Sequence, residues 1–372
     1  MMWKTLGTIA LALLGLVLLL AVGLVAYLSI TEYKPPAQAA LPITRAAGPT
    51  RAAGPARAAG PARAAGLKPG DGFTVLSFNV GYGGLGAESD FFMDGGAQVR
   101  PASKELVEKN LAGLVEILGR AEADFYLLQE VDLDSKRSYY IDEAGAFLAG
   151  RAMDAAHALN YSCAYVPYPL PPIGRVQSGL YTMSAFALAE DGAARLALPC
   201  PFPWPVRVAN LKRCLLVTRV PLAGSGRELA LVNLHLEAYD DGEGKAAQTE
   251  MLMGFLQAEY EKGNYVVAGG DFNCSFPVVD PAAWPILEEG AYVPGVIEAG
   301  ALPPAFQWAV DPAAPTCRLL NQPLGGPGAA QYYVIDGFIL SPNVELVAAE
   351  TLDEGFLFSD HNPVRLEARL LP

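Results

Sequence analysis

Histidine is scarce in this chain, with only His157, His235 and His361 among 372 residues, and cysteine is nearly so, with five. The cysteines (Cys163, Cys200, Cys214, Cys274 and Cys317) are too few and too scattered for a disulfide framework, and no CxxC pair suggests zinc. Only 17% of the residues are charged while 52% are apolar, a balance that excludes a disordered chain or a collagen-like fibre. Basic residues are in shortest supply beyond the first seventy. Residues 1–70 hold seven Lys/Arg against Glu32 alone, whereas 71–372 hold 19 basic and 38 acidic residues, a net of −19. A domain that acidic repels a polyanion at long range and offers no broad duplex-binding face. A single phosphorylated headgroup met by a metal ion is not excluded.

What is abundant is one apolar run. Thr5 to Ile30 carry no charge, and as a helix at about 1.5 Å per residue they reach roughly 39 Å, enough to cross a hydrocarbon core of about 30 Å with some tilt. A cleaved signal peptide is the rival reading, with Ala37-Gln38-Ala39 as a small-x-small cleavage pattern. The run is about twice a normal signal-peptide core, however, and that pattern lies beyond its end. The division expected is a leader at 1–4, a transmembrane anchor at 5–30, a flexible linker at 31–72 and a catalytic domain at 73–372. Lys4 before the span and Lys34 and Arg45 after it nearly balance. The four-residue leader favours a single-pass protein whose catalytic domain lies outside the cytoplasm. Within the linker, 45–66 repeat Arg-Ala-Ala-Gly-Pro-x, a composition that sustains neither helix nor core and as a coil spans about 25 Å.

After Gly72 the pattern changes. Phe73–Asn79 reads as a buried strand, Ser103–Arg120 as a helix with Leu106, Leu111, Leu114, Val115 and Leu118 on one face, and Asp124–Glu130 as a second strand. The construction returns in a helix over 245–262, with Met251, Leu252, Phe255, Leu256 and Tyr260 inward, followed by a strand from Tyr265 that ends in Gly-Gly-Asp271-Phe-Asn273. Further strands are expected around 215–220, 229–235 and 333–340, and Met153–Leu159, which holds His157, reads as helical. Strands mixed with helices point to sheets covered by helices. Asn79, Glu130, His235, Asp271 and Asn273 each fall at or just past the end of an apolar strand, where α/β proteins bind ligands. Imidazole is the natural general base for activating water, and Asp336 is available to orient the His361 ring.

Leu76-Ser-Phe-Asn79, Leu128-Gln-Glu130, Asn233-Leu-His235, Gly270-Asp-Phe-Asn273, Ile335-Asp336 and Ser359-Asp-His361 occur in the order seen in the endonuclease/exonuclease/phosphatase superfamily. The resemblance spans 73–371. It implies a four-layer α/β sandwich, two packed mixed sheets flanked by helices, here preceded by one transmembrane helix. It also implies divalent-metal-dependent phosphoester hydrolysis. Carried over by motif, Asn79 and Glu130 would hold Mg²⁺, with Mn²⁺ as the alternative, and Asp360 would complete that site. His361 paired with Asp336 would activate water, Asp271 would orient the nucleophile, and Asn273 and His235 would donate hydrogen bonds to phosphoryl oxygens.

The chain departs from the superfamily pattern at its middle motif, which reads Ser178-Gly-Leu-Tyr-Thr-Met-Ser184 without the usual arginine. Lys212 and Arg213, or Arg137 and Tyr139 shortly after Glu130, are candidates to face the phosphate instead. Asp90–Gly96 is too irregular for a helix, and its aromatics either meet substrate or pack over the sheet edge. The function expected is a monomeric, membrane-anchored phosphoesterase acting on a lipid headgroup or another small phosphoester. The alternatives are a surface nuclease, disfavoured by the acidity unless folding gathers Arg175, Arg207, Lys212 and Arg213 into a groove, and a non-catalytic binding protein.

Overall fold

The computed structural model describes residues 2–46, 66–240, 242–287, 292–328 and 330–372. Most of the Arg-Ala-Ala-Gly-Pro repeat lies outside the described residues. Among the described residues four α-helices, α1 (Met2–Ile30), α2 (Lys104–Ala121), α3 (Glu143–Leu148) and α4 (Glu243–Glu261), accompany two seven-stranded sheets.

The core of each sheet is a parallel pair of strands joined by a helix. In one sheet Gly72–Asn79 and Phe125–Asp132 flank α2; in the other Glu228–His235 and Tyr265–Asp271 flank α4. Antiparallel strands extend each pair on both sides, giving the mixed sheets expected. Phe73, Val75, Phe125 and Leu127 of the first sheet and Leu229, Leu231, Val267 and Phe338 of the second meet in the central core. The outer faces pack against α2 and α3 on one side and α4 on the other, so the layers number four. A buried amide cluster links the two sheets at the centre: Gln129 Nε2 donates to Asn233 Oδ1 at 2.8 Å, and Asn233 Nδ2 donates to the carbonyls of Leu128 and Tyr181.

Ser103 caps α2 by accepting from the Leu106 N–H at 3.3 Å. The helix buries Val107, Leu111, Leu114, Ile117 and Leu118, a face turned slightly from the one expected, with Val115 only partly covered. In α4 the residue turned inward is Met253, and Met251 is exposed. Near the end of α4, Glu259 is buried and bonded to Arg219, Lys262 and Asn264. Burial raises its pKa, but Arg219, Lys262 and Asn264 more than offset this and hold it down to about 2. A pKa below that of the unfolded chain contributes stability above the unfolded value, near 4.5, and that contribution disappears as pH falls through 2. Glu259→Gln is therefore expected to cost about 3 kcal/mol at pH 7. In urea melts the gap from the parent should close between pH 5 and pH 2, whereas a pH-independent gap would mean that packing, not charge, holds this corner.

Three sequence expectations are corrected. Met153–Leu159 is not helical: His157 sits in the strand Asp154–Val166. The stretch is rich in alanine, a helix former, but Gly174–Ser184 and Ile43–Thr44 pair on its two sides and override that propensity. The linker expected over 31–72 contains strands Gln38–Ala40 and Ile43–Thr44, which cover an open edge of each sheet, and Arg45 is tied to Asp154 at 2.8 Å. The strand expected over 333–340 is broken into Tyr332–Tyr333 and Asp336–Leu340, because the Thr316 hydroxyl accepts from the N–H groups of both Ile335 and Asp336.

The described helix α1 is long and apolar enough to cross a membrane, with a mean hydropathy of 3.0 over its most apolar window. Its last turns rest on the globular part of the chain, where Leu28 and Leu24 pack with Tyr161, Cys163, Val166 and Val208.

Candidate active site

The two parallel strand pairs end at the same side of the molecule, and their last side chains meet. His235, Asp271 and Asp336 are direct neighbours across three strands. Asn79 closes the first strand of the other sheet. Glu130 is aimed inward by a bulge: pairing with Gly174–Ser184 slips between Leu128 and Val131, and Glu130 takes a positive φ of 57°. Asn273 likewise turns at φ 49° just past its strand. The Gly270 preceding Asp271 has no substitute, since a Cβ there would lie 1.9 Å from the Leu234 carbonyl oxygen.

Asp271 is the hub. Its Oδ2 accepts from Asn79 Nδ2 at 3.0 Å and lies 3.4 Å from His235 Nε2 and 3.7 Å from His361 Nε2, while Oδ1 accepts from the Asn273 N–H at 2.9 Å. Burial and the neighbouring Asp336 push its carboxyl up to about 6. His361 Nδ1 is 2.8 Å from Asp336 Oδ2. Burial opposes charge on the His361 ring, but Asp336, with Asp271 behind it, outweighs burial and lifts its pKa well above 6.5. His235 is shifted the other way, by burial and by the positive charge of Arg213, and is neutral. All eight residues expected to carry catalysis or hold metal line one cavity or, in the case of Asp336, bond to a residue that does. The cavity measures about 450 Å³.

The donor set fits a hard divalent cation. Asn79 Nδ2 also reaches Glu130 Oε1, at 3.3 Å, and its own oxygen accepts from the Gly81 N–H. Asp360 is buried, and burial, with Glu130 adding to it against the opposing pull of His361, raises its carboxyl to about 7. A buried carboxyl raised by a neighbouring carboxylate beside a polar pocket is the environment a cation relieves. Ligand atoms of Asp271, Asp336 and His361, and of Cys317, Asp360 and His361, fall within 4.8 Å of each other. Burial holds the Cys317 thiol up at about 12, so it is protonated and a poor ligand for a hard ion.

The four candidates for substrate contact divide. Arg137 lines the cavity, forms a two-pronged pair with Asp132 (3.1 and 2.9 Å), stacks 3.7 Å above the Tyr82 ring and donates to Ser178 Oγ at 3.2 Å. It thus brings a guanidinium to the middle motif that lacks its own. Arg213 also lines the cavity, beside Glu237 at 3.6 Å. Tyr139 turns away, its hydroxyl donating to the Pro101 carbonyl, and Lys212 is drawn to Glu32 and the Arg207 carbonyl. The sequence reading missed the aromatic wall of Tyr239, Tyr292 and Tyr333, whose rings succeed one another at 5.5 and 5.9 Å, and Asp94, which accepts from the Tyr239 hydroxyl at 2.8 Å. Tyr239 and Tyr292 lie in loops, Tyr333 in the short strand Tyr332–Tyr333 and Asp94 in a 3-10 turn, so only the fold brings them together.

The model of the Endonuclease/Exonuclease/phosphatase family matches residues 76–361. The chain belongs to that family. Its members hydrolyse phosphoester bonds, and this chain is a hydrolase of that type. Among solved structures, an endonuclease/exonuclease/phosphatase from Beutenbergia cavernae shares the fold: TM-score 0.54, 17% identity, 81% of this chain and 72% of that one covered. A family member from Bacteroides vulgatus matches with TM-score 0.48 and 15% identity over 81% of this chain and 99% of its own. Truncated TDP2 from Caenorhabditis elegans gives 0.45 and 14% over 80% and 97%. No curated protein matches the chain by sequence.

Proposed function

We propose that the chain is a membrane-anchored, Mg²⁺-dependent phosphoesterase, with Mn²⁺ as a substitute, that hydrolyses a phosphodiester or phosphomonoester in a lipid headgroup or similarly small molecule. The observation that carries this reading is the cavity itself: Glu130, Asp360, Asp271 and His361 line it together, and aromatic and aliphatic side chains such as Tyr239, Tyr292, Val166 and Ile173 make up much of the remaining wall. Glu130 and Asp360, with Asn79, would hold the ion. When bound, it supplies positive charge that stabilises the phosphoryl and leaving oxygens and favours the neutral, proton-accepting form of His361. His361, oriented by Asp336, takes the proton of the attacking water at Nε2, and Asp271 directs that water. His235 and Asn273 donate to the phosphoryl oxygens, and Arg137 and Arg213 add fixed positive charge.

Paired cations weigh against the nuclease alternative. Arg175 is spent on Asp134, and Arg207 and Lys212 on Glu32, so of the four only Arg213 faces the cavity and they build no basic groove. The reading is tested with full-length protein in detergent on phospholipid micelles, bis(4-nitrophenyl) phosphate, 4-nitrophenyl phosphate and single-stranded DNA. Turnover of the small or lipid esters is expected with Mg²⁺, and its disappearance with EDTA. Cleavage confined to DNA, or turnover indifferent to EDTA, would overturn it.

A further inference from the structure

The exposed apolar side chains of the catalytic domain include a group at the cavity mouth beside α1. Leu170 is 85% exposed, Tyr168 71%, Trp204 57% and Val206 55%. They sit on two loops, 166–173 and 199–206, that contain eight prolines and no charged residue in an otherwise acidic domain. Proline fixes φ, so these side chains are presented with little ordering left to lose.

The loops work on both sides. Tyr161, Val166, Ile173 and Leu211 line the cavity and also form the seat on which Leu24 and Leu28 of α1 rest. Trp204 Nε1 donates to Ser29 Oγ at 3.0 Å, in the last turn of α1. Twenty residues from Thr5 reach Leu24 and span the hydrocarbon of a bilayer, so Ser29 stands about 7 Å further along, among headgroups. An indole is at home at that depth. Arg207 and Lys212, beside the loops, clamp Glu32 and fix the domain at this height.

We propose that loops 166–173 and 199–206 dock into the headgroup–acyl boundary of the leaflet from which α1 emerges, so that the cavity draws phospholipid headgroups from that leaflet. The surface is continuous with the α1 contact and is apolar where α1 leaves the membrane, which commits it to lipid. The substrate part rests on the phosphoesterase reading above; the docking part does not.

Full-length protein in vesicles of phosphatidylcholine with a minority of phosphatidylglycerol tests both, using phosphatidylcholine brominated on its acyl chains as quencher. Trp3→Phe removes the indole at the far end of α1. Its remaining fluorescence should be quenched, and most of that quenching should vanish on adding Trp204→Phe. Quenching that is absent, or indifferent to Trp204, overturns the docking surface and leaves the hydrolase untouched. Leu170→Asp with Val206→Asp places charge at the boundary, and headgroup release from the vesicles should fall at least about tenfold. Hydrolysis of bis(4-nitrophenyl) phosphate by the same variant should stay within about twofold, because neither side chain enters the cavity. Unchanged release from vesicles overturns the proposal. Quenching of Trp204 with turnover of the soluble ester but no headgroup release from parent vesicles upholds the docking and removes the lipid substrate.

Discussion

Replacing His361 with alanine is expected to lower turnover of bis(4-nitrophenyl) phosphate by about 10²- to 10⁴-fold, the usual worth of a positioned acid–base group. The expectation rests on geometry. The ring is fixed through Nδ1 to Asp336, which leaves Nε2 pointing into the cavity, 3.7 Å from Asp271. Asp336→Asn keeps a hydrogen-bonding group of the same shape but removes the charge that holds the ring's proton affinity up, and a smaller loss is expected. Both variants should melt close to the parent, since neither side chain belongs to the apolar cores. A His361→Ala enzyme that retains full activity would place the base elsewhere, with Asp271 first in line.

Glu130→Gln is expected to raise the Mg²⁺ concentration for half-maximal activity by at least about 10- to 100-fold, as loss of a coordinating group or its support does. The substitution preserves shape but removes the charge that faces Asp360. Activity should therefore return, in part, when Mg²⁺ is raised. The readout is a metal titration at saturating substrate, with magnesium binding by calorimetry as a check that does not depend on turnover. An unchanged titration would move the ion away from Glu130 and toward Asp271 and Asp336.

The sequence made the strand ends legible because an apolar run that stops at a polar residue is a local signal. Asn79, Glu130, His235 and Asp271 all carry it, and the fold brings them together. Side-chain direction was not legible. Tyr139 lies two residues from Arg137, yet one turns to the Pro101 carbonyl and the other into the cavity. Lys212 and Arg213 are adjacent and part for the same reason, the first captured by Glu32 and the second facing Glu237. Residues 38–44 read as linker because small residues and prolines make weak strands, and only the open sheet edges beside them give them a partner. The Ala-rich segment around His157 misled in the same way, through a local preference that long-range pairing overrode.

The amide contact between Gln129 and Asn233 has a consequence for how the two halves of the chain come together. Sliding one sheet over the other by a single residue would strand the buried Asn233 amide, whose partners all lie on the opposite sheet, while Gln129 would keep only contacts within its own sheet such as the Leu127 carbonyl, an outcome costly enough to select one alignment among many that greasy surfaces alone would tolerate. Glu130 follows directly on Gln129, and His235 stands two residues after Asn233, so the same lock that picks the alignment also sets the spacing of the chemistry. A chimera that borrows one half from a relative would have to bring a matching amide with it.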